Sequence, residues 1–338
     1  MDKKKGRSKN IKLLAVSLAF STIVILIVLY LTVDKNTITY LTRVKIEFFI
    51  LALVLQFCAW FLWSLRIYIM TKTVDPNSNL SIPGSMCIVI SNLFLAGITP
   101  SMAGGEPVRI HLLSKKGLDV GCATAVVLSE RIFDAIFILM MIPFALIIFQ
   151  HIISIEIIRF GLTVGIILFI SGIGLFFYAA IRPEKIKWFF NKLRKRSNGK
   201  KDGLLAKIEG LVNGFHRGVV LIFKRKNTKS IILIFFITVF SWFVGFLIPS
   251  CILLSLDHDP IWIQSIAAQI LLLVIILIPT TPGSSGVAEG AASLLYGGLV
   301  NMSILGVLIV LWRLVTFHIS IIMGGIFQYK VFKSIKKK

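Results

Sequence analysis

Acidic residues are scarce: 15 in a chain of 338, with charged side chains of both signs making up only 15%. An ordinary soluble domain carries about 25%. With 57% hydrophobic residues and a mean hydropathy of +0.90, a water-facing globular surface is excluded. Cysteine is sparse too. Cys58, Cys87, Cys122 and Cys251 stand in or beside apolar runs, with no CxxC pair and no histidine at metal-ligand spacing, so they read as small buried apolar residues. No nucleotide-binding loop, HExxH, GxSxG or soluble catalytic stretch is present. An ATP-driven pump or zinc protease is therefore disfavoured, and no catalytic residue, cofactor or metal is expected.

What is abundant is positive charge, +22 formally, and its placement excludes a nucleic-acid partner. Residues 1–12 hold +5, residues 182–229 hold +12 and residues 330–338 hold +5, which accounts for the whole excess. All three segments flank apolar runs, where anionic lipid headgroups are the natural partner. Apolar runs at 13–33, 46–70, 120–149, 160–181, 231–256 and 303–329 are each long enough to cross a hydrocarbon core of about 30 Å. The first run is too long for a signal-peptide core and is expected to remain as an anchor.

Stretches 83–114 and 261–299 are also apolar, but each is interrupted: Thr99-Pro100-Ser101-Met102-Ala103-Gly104-Gly105-Glu106 and Thr281-Pro282-Gly283-Ser284-Ser285-Gly286-Val287-Ala288-Glu289. Proline removes an amide donor and glycine favours non-helical backbone. Pro100, Gly104, Gly105, Pro282, Gly283 and Gly286 therefore predict a turn inside each stretch, with a short helix on either side.

Placing the three basic segments in the cytoplasm satisfies the positive-inside rule. The short links near 34–45, 150–159 and 257–260 then lie outside, and the first broken hairpin opens to the cytoplasm while the second opens outward. A shift of 182 residues superimposes Thr99-Pro100 on Thr281-Pro282, Arg131 on Arg313 and Trp60 on Trp242. The expected fold is an all-α polytopic membrane protein of six full spans and two re-entrant hairpins. These form an inverted repeat, 46–149 and 231–329, joined by the helix at 160–181, a plan common in transporters. Residues 203–223 predict an amphipathic helix, with Leu204, Leu205, Ile208, Leu211, Val212 and Phe215 on its apolar side, lying in the headgroup layer. Gly161 and Gly165 fit close helix packing, and the sequons at Asn79 and Asn301 are at chance level.

Within the apolar segments the informative charges are Glu106, Arg109, Glu130, Arg131, Asp134, Glu289 and Arg313, with Arg66 and His318 as lesser members. Each ionised group facing lipid costs roughly 2.5 kcal/mol or more, so they must pair or face water. Glu106 and Glu289 stand where helices restart. They either cap those helix starts, or partner arginines in an anion site from which they can be displaced. The planar guanidinium fork suits a phosphate. His318 reads as a hydrogen-bonded interior residue.

Three stretches carry a family resemblance: Pro100-Ser101-Met102-Ala103-Gly104-Gly105-Glu106-Pro107-Val108-Arg109, Ser129-Glu130-Arg131-Ile132-Phe133-Asp134, and Pro282 to Glu289. Together they resemble the transmembrane region of lysylphosphatidylglycerol synthases, a flippase-like family, over nearly the whole chain. The second hairpin, Gly283-Ser284-Ser285-Gly286, is poorer in glycine than its relatives. The resemblance implies lipid flipping. The soluble aminoacyl-transferase domain of larger members and the N-terminal glycosyltransferase of some archaeal ones have no counterpart here, so lysyl transfer is not implied.

The reading is thus a translocase, not an enzyme, in the cell membrane, moving an anionic or phosphate-bearing lipid such as a phospholipid or polyprenyl phosphate. Arg109, Arg131 and Arg313 would contact the headgroup, and Glu106, Glu130, Asp134 and Glu289 would balance charge. The alternative is a non-transporting scaffold or accessory subunit for a lipid-modifying or glycosyl-transferring enzyme, docking through 182–229, with a homo-oligomer or partner enzyme as its assembly.

Overall fold

The computed structural model describes residues 44–99, 104–150, 156–185, 188, 202–278 and 281–335. Among these the chain is helical without strands. Five stretches are long and apolar enough to cross a membrane: 46–74, 120–148, 159–181, 225–255 and 302–328. Each expected run after the first falls on one of them. The run at 13–33, the basic N-terminus and much of the basic stretch 186–201 lie outside the described residues.

The long helices are α1 (Ile46–Val74), α4 (Val120–Ile148) and α5 (Glu156–Ile181), with two further spans built from pieces. One is α7 (Thr228–Phe246) followed by α8 (Ile248–Ser255). Pro249 has no N–H to bond back across the junction, so the ladder restarts there. The other is α11 (Met302–Arg313), a π-helical turn at Leu314–His318, and α12 (Ile319–Ile335). The sequence reading foresees neither interruption; Pro249 is the compositional mark of the first, and a π turn leaves none.

The interrupted stretches form pairs of short helices: α2 (Ile82–Gly97) with α3 (Gly105–Lys115), and α9 (Trp262–Ile276) with α10 (Val287–Tyr296). At 1.5 Å per residue even the longest spans only about 24 Å, short of a hydrocarbon core. Local chemistry sets their ends. Ser81 Oγ accepts from Gly84 N at 3.2 Å to start α2, and Asp119 Oδ2 accepts from Gly121 N at 3.1 Å to start α4, as N-caps do. At the first break Thr99 Oγ1 donates to Leu95 O at 2.8 Å and accepts from Gly104 N at 2.8 Å. Pro100 lies outside the described residues.

Hydrogen bonds show which ends meet. Asn79 N donates to Lys116 O at 3.0 Å, joining the start of α2 to the end of α3. Tyr296 OH lies 3.0 Å from Ser265 Oγ, joining the end of α10 to the start of α9. Lys45 N donates to Ser255 O at 2.8 Å, and Lys45 Nζ pairs with Asp257 at 2.6 Å. That hydrogen bond and the carboxylate charge raise the Lys45 pKa. The first short pair therefore opens at the C-terminal end of α1 and the second at its N-terminal end. Where their breaks meet, Gly283 N donates to Thr99 O at 3.0 Å.

Two apolar cores follow the two pairs. Ile67, Met70, Val89, Leu113 and Val126 centre one, and Ile252, Ile270, Leu271, Leu295 and Leu308 the other. On α4, Phe133 belongs to the first and Phe137 to the second, so Asp134 stands at the boundary.

Helix α6 (Asp202–Ile222) does not merely lie on a surface. It packs on α4 and α5, with Gly214, Phe215, Gly218, Val219 and Ile222 buried. A Cβ on Gly121 would come within 2.6 Å of Gly214 Cα, so the crossing requires bare backbone on both helices. Leu211, expected on the apolar side, is 39% exposed; the side chains of Leu204, Leu205 and Ile208 lie outside the described residues. A glycine spacing of four, Gly210-Gly214-Gly218, is the signal that would have predicted this packing. The Gly161/Gly165 expectation fits the contact of α5 with α9: a Cβ on Gly165 would meet Val274 O at 2.4 Å.

Candidate functional site

Six charged side chains from three helices converge beside the first break. Arg66 enters from α1, Glu106 and Arg109 from α3, and Glu130, Arg131 and Asp134 from α4. Glu130 and Asp134 share a helical face, being four residues apart, so one guanidinium can grip both. Arg66 Nη1 donates to Asp134 Oδ1 at 2.6 Å and Nη2 to Glu130 Oε1 at 2.6 Å. Arg109 Nη1 donates to Glu130 Oε2 at 2.7 Å. Thr238 Oγ1 accepts from Arg66 at 3.0 Å, Trp242 Nε1 donates to Asp134 Oδ1 at 2.9 Å, and Trp63 Nε1 donates to Glu130. Arg109 also lies 5.2 Å from the Trp63 ring centroid. Three cations face three carboxylates, so the group is neutral and its inner members are buried.

Arg131 differs. Its Nε donates to Glu106 Oε1 at 2.9 Å and its Nη2 approaches the same oxygen at 2.8 Å, yet 42% of its side chain is exposed. Its contact with Asp134 is a longer 3.6 Å. Glu106 Oε1 also accepts from Arg109 at 3.4 Å, while Glu106 Oε2 is buried and without a hydrogen-bond partner. Among the described residues, then, one arginine of the group has a partly exposed side chain, held by a carboxylate with one unbonded oxygen.

The second break carries a smaller copy. Arg313 Nε donates to Glu289 Oε1 at 2.8 Å and Nη2 to Ser285 Oγ at 3.4 Å. Glu289 Oε2 accepts from Gly286 N at 2.6 Å, capping α10. The pairs Glu106–Arg131 and Glu289–Arg313 use the same atoms, a carboxylate just after a break and the Nε of an arginine on the next long helix. Each arginine stands eleven residues into its helix, about 16 Å from the start. Here the two roles expected for the glutamates separate: Glu289 caps its helix and holds an arginine, whereas at the start of α3 the Gly104 amide is taken by Thr99 Oγ1 and Glu106 bonds the arginines. Arg313 is 3% and Glu289 0% exposed, with the Phe317 ring centroid 3.9 Å from the guanidinium carbon. His318 Nδ1 lies 3.0 Å from Arg313 O, an interior hydrogen bond.

The sequence-expected residues thus divide into two groups, with Glu106, Arg109, Glu130, Arg131 and Asp134 in one and Glu289 and Arg313 in the other. Arg66, ranked as lesser, is central. Trp63, Thr238, Ser285 and Phe317 were not singled out; Trp63 sits three residues before Arg66 on the same helical face, which is the available signal. No group of three or more His, Cys, Asp or Glu side chains able to hold a metal ion occurs among the described residues. Chemically the arrangement offers an arginine with a partly exposed side chain at the edge of a neutral charge cluster, and a guanidinium fork suits a phosphate or carboxylate.

The family model described as the lysylphosphatidylglycerol synthase TM region matches residues 14–324. The chain is 31% identical over 328 residues to a UPF0104 membrane protein of Archaeoglobus fulgidus, covering 94% of this chain and 97% of the relative. It is 27% identical over 342 residues to a UPF0104 membrane protein of Methanocaldococcus jannaschii, covering 98% and 97%.

Proposed function

The chain belongs to the lysylphosphatidylglycerol synthase transmembrane-region family, and on that premise we propose that it is a lipid translocase that carries a phosphate-bearing anionic headgroup between leaflets. The observation that carries this reading is the half-open Glu106–Arg131 pair beside a break in the helices. Arg131 is partly exposed where Arg66 and Arg109 are sealed, so its pair with Glu106 is the one a phosphate can replace at the smallest cost. Breaking a sealed pair costs about 3–5 kcal/mol, so Arg66, Arg109, Glu130 and Asp134 hold the pocket's shape. The lipid tails stay in the bilayer.

The short helix pairs are re-entrant hairpins in inverted repeats, opening at opposite faces. The positions of their ends along α1 support this, as does the bond between Thr99 and Gly283. Lys72, Lys115 and Lys116 stand where the start of α2 meets the end of α3, and that end faces the cytoplasm under the positive-inside rule, together with the run Lys224-Arg225-Lys226 and both termini.

The test is leaflet exchange of tail-labelled lipids in vesicles containing the purified chain. Phosphatidylglycerol is expected to exchange at least tenfold faster than in protein-free vesicles, and diacylglycerol, which lacks the phosphate, to show no protein-dependent gain. Exchange of every anionic lipid, polyprenyl phosphate included, at the empty-vesicle rate would overturn the proposal.

A further inference from the structure

The two arginine pairs match in chemistry and differ in access: Phe317 covers the second, and the turn beside it is held against the first hairpin at Thr99. Gly283 has φ +61 and Ser284, not a glycine, φ +52, a left-handed turn that non-glycine residues adopt only under constraint. The constraint is contact across the repeats. Gly283 N donates to Thr99 O, and a Cβ on Gly283 would lie 2.5 Å from Gly97 O and 2.6 Å from the Phe317 ring. Phe317 is 2% exposed and its ring covers Arg313. Phe317 stands in the π-helical turn that follows Arg313 directly. Such a turn holds one extra residue in the helix and marks functional positions more often than chance.

We propose that Arg313 with Ser285 is a second station for the headgroup phosphate, and that the Thr99–Gly283 contact with the Phe317 ring is the gate that closes it while Arg131 is open. The proposal rests on the translocase reading above and deepens it. In the present state the phosphate reaches Arg131 from the side where the first hairpin opens. When Gly283 leaves Thr99 and Phe317 swings off with its turn, the guanidinium of Arg313 is uncovered toward the opposite side. Arg313 gives up its bond to Ser285 before its bond to Glu289, because the former is the longer, 3.4 Å against 2.8 Å.

The experiment reads accessibility at Ser285, which is fully buried. Ser285→Cys protein in nanodiscs, where both faces are open, is treated with a membrane-impermeant thiosulfonate, and mass spectrometry follows the label at that position. The thiol is expected to react at least tenfold slower than a Met302→Cys control, Met302 being 55% exposed. Adding Gly283→Ala, which forces the contact apart, or Phe317→Ala, which removes the cover without straining backbone, is expected to raise the rate at least fivefold. The Phe317→Ala arm carries the test if the Gly283 variant does not fold. Dioctanoyl phosphatidylglycerol is expected to slow labelling in the Phe317→Ala background, with dioctanoylglycerol and inorganic phosphate ineffective. A Ser285→Cys thiol as reactive as the control, or unmoved by Phe317→Ala, overturns the gate. Equal protection by dioctanoylglycerol or by inorganic phosphate overturns the station. Opening as expected in a protein that exchanges no lipid leaves the gate standing and sinks the translocase reading instead.

Discussion

The break beside Arg131 and the break beside Arg313 carry the same ion pair built with the same atoms, yet Arg131 is 42% exposed and Arg313 3%. The first is surrounded by further charge. Arg66, Arg109, Glu130 and Asp134 form a rigid neutral frame behind it, so the Glu106–Arg131 pair need not hold the helices together. At the second, Arg313 and Glu289 pair with each other and bond Ser285 and Gly286. Glu289 must hold Arg313 and cap α10 at once, and Phe317 supplies the cover that charge supplies in the first. A pair relieved of structural duty can exchange its partner; one that bears that duty must be opened by moving a helix.

Removing the frame is expected to have the largest effect. Glu130→Ala strands Arg66 and Arg109 without their shared carboxylate, and a loss of about 3–5 kcal/mol follows for a broken buried pair, seen as a large fall in thermal stability in detergent. Arg313→Ala leaves Glu289 its bond to Gly286, so a smaller loss of about 1–3 kcal/mol is expected, with the second hairpin more open to protease. Gly214→Leu, which puts a side chain where Gly121 now packs, is expected to cost about 1–3 kcal/mol by overpacking, read in the same melts. Arg131→Ala is expected to cost less than Glu130→Ala, because Arg131 is partly exposed and Glu106 keeps its contact with Arg109, while lipid exchange is lost. Asp257→Asn should do least: its pair with Lys45 is about half exposed on both sides, and neither stability nor exchange is expected to move measurably. A Glu130 variant as stable as the parent, or an Arg131 variant as damaged as Glu130→Ala, would dissolve the distinction between frame and working pair.

Much of this was legible in the sequence for a physical reason. Charges are so costly in an apolar segment that seven of them announce themselves, and every one lies in one of the two groups. The breaks were legible because proline and glycine have few other uses there. What was not legible depends on three-dimensional partners. Arg66 looks peripheral on a helix whose other charges, Glu47 and Lys72, stand at its two ends, and only the fold brings it between Glu130 and Asp134. Trp63 and Phe317 are aromatic residues in apolar helices, indistinguishable by composition from lipid-facing ones. Helix α6 showed an amphipathic pattern, but the glycines that dock it on α4 outweigh that pattern.

The central claim is that Arg131 reads the headgroup. Its most direct test is the rate at which dithionite bleaches inner-leaflet, tail-labelled phosphatidylglycerol in vesicles holding equal amounts of parent and Arg131→Ala protein. The account expects at least a tenfold slower exchange for Arg131→Ala, with a smaller loss of thermal stability than Glu130→Ala shows. Equal rates for the two proteins would contradict it.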